Sequence, residues 1–104
     1  MSTGVAVVLM TAPSEDVAAS IARTLVEEGL IACANLVPQV RSVYRWEGTI
    51  CDEREVLVVM KVADTRYSAL EARIPQLHPY AVPEVIRLDV TAGFPPYLGW
   101  VLKP

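Results

Sequence analysis

The chain has 104 residues, 53% of them apolar and 20% charged, with a formal net charge of −3. An acidic chain lacks the basic face that neutralises phosphates, which excludes the usual modes of nucleic-acid binding. One domain spanning residues 1–104 is expected, and a mean hydropathy of +0.36 is high for so small a domain, implying surface buried against another chain.

Residues 5–10 are continuously apolar, the pattern of a strand covered on both faces. Thr11-Ala12-Pro13 ends the run. Ser14 is a helix N-cap, Glu15 and Asp16 suit the positive end of the helix dipole, and Val17, Ala18, Ile21, Ala22, Leu25 and Val26 recur at helical spacing. Gly29 stands where a left-handed C′ residue belongs. Residues 32–46 are rich in β-formers, and Pro38 among them predicts an edge position or a bulge. From Val40 the pattern alternates, with Val40, Ser42, Tyr44 and Trp46 on one face and Arg41, Val43 and Arg45 on the other. Glu47-Gly48-Thr49 reads as a turn, and residues 50–62 return as a second strand. A pivot at Gly48 sets Arg41 opposite Glu55 and Cys51 opposite Arg45, so Cys33 and Cys51 are not expected to form a disulfide.

Asp64 or Thr65 is the expected cap of a second helix whose buried stripe is Tyr67, Leu70, Ile74 and Leu77. Pro75 removes a helical hydrogen bond and is expected to end or bend that helix near Arg73. The stretch HPYAVP turns the chain into an alternating strand at 85–90, and residues 97–102 suggest a short terminal helix. The order β-α-β-β-α-β predicts an α+β, ferredoxin-like fold with both helices on one face of an antiparallel sheet. The other face is then bare although its strands are apolar, and a partner chain is expected to cover it. No uncharged stretch approaches the ~20 residues of a membrane span, and no basic leader precedes the first apolar run, so a cytoplasmic protein is expected.

His78, the only histidine, has three readings: a metal ligand, a catalytic base, or a brace for a stiff turn. No partner at H-x₃₋₅-H or C-x₂-C spacing accompanies it. Cys33 offers a soft thiolate, with Cys51 and Met10 as further sulfurs, but small buried cysteines commonly only pack. Tyr44 and Trp46 at a hairpin tip suit either a pocket or an interface. Glu55 and Lys61 share a strand face with Leu57 and Val59, where charges are expected to find partners. No catalytic or nucleotide-binding motif is present, so no enzyme is signalled.

The segments VLMTAPSED (8–16), LVEEGLIACANLVPQVRSVYRWEG (25–48), EVLVVMKV (55–62), LHPYAVPEVI (77–86) and YLGW (97–100) together resemble the CutA divalent-cation-tolerance family. The resemblance implies a ferredoxin-like homotrimer of PII-like architecture, whose long central hairpins pair with neighbouring subunits. It implies a role in tolerance of copper or another divalent cation, with Met10, Cys33 and His78 as metal-ligand candidates. Met10 stands where some relatives carry Cys, and Leu77 where some carry a second His. The alternative is a sensor or scaffold without a metal role. It would bind a small ligand or an unknown protein partner in inter-subunit clefts lined by Tyr44, Trp46, Glu55, Lys61, Tyr80 and Trp100.

Overall fold

The computed structural model describes residues 2–104. Four strands and three helices follow in order: β1 (Val5–Ala12), α1 (Glu15–Glu27), β2 (Cys33–Trp46), β3 (Thr49–Ala63), α2 (Tyr67–Leu77), β4 (Ile86–Asp89) and α3 (Pro95–Leu102). The strands form one antiparallel sheet in the order β2-β3-β1-β4. Each helix of the two β-α-β units therefore crosses over a strand from the other unit, which is the ferredoxin-like arrangement.

The sequence explains the helix ends closely. The Ser14 hydroxyl accepts from the Val17 N–H at 3.2 Å, satisfying one of the orphan donors of the first turn. At the other end Gly29 has φ +73°. Its N–H reaches the Val26 carbonyl and the Leu30 N–H reaches that of Leu25, both at 3.0 Å, a Schellman closure. The helix face of the sheet carries Ala6, Val8, Met10 and Ala12 from β1 and Val56, Val58, Met60 and Val62 from β3. These pack with Leu25, Leu70 and Ile74 into one buried cluster.

Three expectations need correction. First, the hairpin turns on two residues, Glu47 and Gly48, both in the left-handed region (φ +49° and +80°), so Trp46 pairs with Thr49. The register moves by one, placing Arg41 opposite Arg54 and Tyr44 opposite Cys51. Arg41 accordingly bonds Asp52 at 2.7 and 2.8 Å, and not Glu55. Second, α2 is entered through a short 3₁₀ turn at Asp64–Arg66 with no side-chain cap, and it continues through Pro75 to Leu77. The Asp64 carboxylate instead accepts from Arg87 at 2.6 Å. Pro75 costs only the bond to the Glu71 carbonyl; the Ile74 carbonyl still receives the His78 N–H at 2.9 Å. Third, the sheet face away from α1 and α2 is not wholly bare. The helix α3 lies over one end of it, against β1 and β3, so Val5 and Val101 are each only 1% exposed although both stand outside the main cluster.

Pro38 does mark a bulge. β2 is an edge strand, and Pro38 with Gln39 occupies the space opposite Val56 between the Val37–Leu57 and Val40–Glu55 pairs. Beyond that bulge β2 and β3 continue as a two-stranded ribbon past the end of β1.

Candidate functional site

The ribbon, the end of β1 and the turn after α2 enclose a groove of about 540 Å³. Its lining includes Tyr44, Trp46 and Ser42 from β2, Glu55 from β3, Thr11 from β1, and Tyr80, Val82 and Glu84 from the turn. Alternation along β2 turns Ser42, Tyr44 and Trp46 to the same side. The bulge at Pro38 resets that alternation so that Val40 meets Glu55 and the aromatics lie beside its carboxylate.

His78 holds the turn in place. Its Nδ1 accepts the Tyr80 N–H at 3.1 Å, so Nε2 carries the proton and donates to the Thr11 carbonyl at 2.7 Å. The residue is only 7% exposed, and its ring tilts against Tyr80 with centroids 4.6 Å apart. Tyr80 is thereby aimed at β3, where its hydroxyl donates to Glu55 Oε2 at 2.6 Å. Beside it the Tyr44 hydroxyl donates to Glu53 Oε1 at 2.5 Å.

These bonds hold both phenols in the neutral form. The Glu53 carboxylate raises Tyr44 well above its ordinary value of 10.0. Burial first, then Glu55, does the same for Tyr80. Tyr67 is raised by its bond to Glu71, and Tyr97 by its contact with Cys33. All four tyrosines of the chain are therefore expected to resist ionisation at pH 10. An ultraviolet titration should give a midpoint above that of the denatured chain. A native titration centred at 10 would contradict these contacts. Since the folded values lie above the unfolded one, the associated stability is complete below about pH 10 and is lost as pH rises through the folded titration.

Of the cleft residues expected from sequence, Tyr44, Trp46, Glu55 and Tyr80 come together. Lys61 and Trp100 do not. Lys61 bonds the Asn35 side chain across β2 and β3, and Trp100 packs beside Tyr97 on α3, with ring centroids 5.7 Å apart. Sequence reasoning missed Glu53 and Glu84. The hairpin register carries the signal for Glu53, which lies diagonally across from Tyr44 once the turn is known to have two residues.

The three candidate metal ligands are not gathered. Met10 is 0% exposed in the core, on the helix face of the sheet. Both ring nitrogens of His78 are committed. Cys33 lies on the opposite sheet face, in the row Cys33–Lys61–Val7. That row is four β1 positions from Thr11, or about 13 Å along the strand. Among the described residues no group of three His, Cys, Asp or Glu side chains is placed to hold an ion. This donor set does not fit a copper ion within one chain. Cys33 and Cys51 are both free; the Cys33 Sγ lies 3.7 Å from the Tyr97 hydroxyl. No described helix is long and apolar enough to cross a membrane.

Strand order, helix placement and the projecting ribbon define a ferredoxin-like α+β protein whose pocket lies at one end of the sheet. The model of the CutA1 divalent ion tolerance protein family matches residues 6–103, and the chain belongs to that family. It is 45% identical over 95 residues to the divalent-cation tolerance protein CutA of Thermus thermophilus, covering 91% of this chain and 92% of that one. It is 46% identical over 97 residues to Protein CutA of Mus musculus, covering 93% of this chain but only 55% of the mouse protein. The solved divalent cation tolerance protein (Cut A1) of Thermus thermophilus superimposes with a TM-score of 0.90 at 44% identity, over 93% of this chain and 94% of that chain.

Proposed function

We propose that this chain serves divalent-cation tolerance as a cytoplasmic homotrimer of PII-like build that binds a small ligand in the hairpin groove. The observation that carries the reading is the convergence of β1, β2, β3 and the HPYAVP turn on one concave, aromatic-lined site. Assembly is supported by the apolar sheet face that α3 leaves uncovered, where Ile86 and Leu88 are 50% and 54% exposed. Two free cysteines suit a reducing compartment. The scattered positions of Met10, Cys33 and His78 weigh against a resident copper ion on those residues.

Thermal unfolding in the presence of metabolites, and separately of Cu(I), Cu(II) and Zn²⁺, tests the reading. An organic ligand present at about 100 times its Kd is expected to stabilise the protein by about 2.7 kcal/mol. Stabilisation by copper alone, lost in Cys33→Ser, would return the function to metal binding by soft ligands.

A further inference from the structure

The groove is chemically more specific than its shape. Glu55 is only 7% exposed, yet among the described residues no ion pair reaches it. Its side-chain hydrogen bond is from Tyr80 to Oε2. No buried side-chain oxygen lacks a partner among the described residues, so Oε1 is not sealed from solvent, and Glu55 lines the groove. A carboxylate withdrawn from water to this degree, with one neutral donor, is electrostatically uncompensated.

The surroundings select the charge of what would compensate it. No lysine or arginine lines the groove, and Glu84 adds a second carboxylate. The hydroxyls of Tyr44 and Tyr80 already donate to Glu53 and Glu55, which removes the obvious donors for an anion. Two lining carboxylates without a third ligating side chain are a poor cage for a divalent metal. The rings of Tyr44, Trp46 and Tyr80 offer π-faces, which attract organic cations, and most strongly where water is displaced.

We propose that the groove binds a small organic cation, an ammonium or guanidinium head, with Glu55 as its counter-ion and Tyr44, Trp46 and Tyr80 as its aromatic walls. The inference rests on the ligand-groove reading above and names the ligand class of that site. A volume of about 540 Å³ accommodates such a head with a short hydrocarbon body.

Three probes of nearly equal shape separate the alternatives: benzylammonium, benzyl alcohol and benzoate. Each is titrated into the assembled, metal-free protein by calorimetry, with indole fluorescence as a second readout. Benzylammonium is expected to bind at least about tenfold more tightly than benzyl alcohol, and benzoate not at all. Glu55→Gln keeps an acceptor for Tyr80 and should abolish the preference for the cation. Trp46→Ala, at a ribbon position exposed in the single chain, should weaken binding without unfolding the subunit. Equal binding of the alcohol, or preference for benzoate, overturns the cation assignment while leaving the groove a ligand site. Failure of all three probes, with indole emission unchanged, overturns both readings. Displacement of benzylammonium by micromolar Zn²⁺, lost in Glu55→Gln, would reassign the carboxylate to a metal and overturn the proposal.

Discussion

Replacing Leu88 with glutamate is expected to convert a particle of three times 11.4 kDa into one of 11.4 kDa, as measured by light scattering after size exclusion. Antiparallel pairing puts Leu88 beside Val7 and Ile86 beside Leu9, and the same face carries Leu57, Val59 and Lys61 on β3 and Val37 on β2. These side chains alternate with the core set and point away from α1 and α2. In an isolated subunit Leu88 is 54% exposed, so a glutamate there would change stability by no more than about 0.5 kcal/mol. If the proposed assembly covers this face, the same carboxylate is withdrawn from water there, at a cost of several kcal/mol per subunit. The substitution therefore acts on assembly and spares the fold. Wild-type protein is expected to unfold above the ~45–65 °C typical of mesophilic domains, and the Leu88→Glu subunit within that range. A wild-type mass of 11.4 kDa would remove the basis for the prediction.

Patterns with a fixed period and a local cause were legible in the sequence. The cap at Ser14, the glycine closure at Gly29 and the bulge at Pro38 each follow from the chemistry of one or two residues. The order of elements followed from apolar periodicity, and the excess of apolar residues pointed to a face needing cover. Register was harder. Whether the hairpin turns on two residues or pivots on one glycine changes every cross-strand pair, and it hid the Tyr44–Glu53 contact. Pro75 misled for a different reason. One missing hydrogen bond near a helix end is outweighed by the burial of Ile74 and Leu70, both 0% exposed. The cover supplied by α3 was unreadable because only packing shows that Tyr97 reaches Cys33, 64 residues away in sequence. Donor chemistry alone points to Met10, Cys33 and His78 as metal candidates. Which sheet face each occupies is decided by tertiary structure: Met10 points into the core and Cys33 away from it.

For His78 that distinction becomes a measurable one. Truncating it to alanine is expected to lower unfolding stability by about 2–4 kcal/mol, since the imidazole holds two backbone groups and fills a buried site. The Thr11 carbonyl loses its donor and the Tyr80 N–H its acceptor. Because Tyr80 reaches Glu55 only while the turn keeps its shape, the groove should loosen with the turn. Chemical denaturation should show the loss as a lower midpoint at unchanged slope. A ligand role predicts the opposite pattern. An imidazole kept free for copper would be spared internal bonds, and its removal would abolish copper affinity with little effect on folding. Neither ring nitrogen is free, so copper titration of folded His78→Ala protein is expected to match wild type. Unchanged stability together with lost copper binding would make His78 a ligand after all. The double loss of stability and of benzylammonium binding, with copper behaviour unaltered, is the result expected of a histidine that shapes the groove from behind.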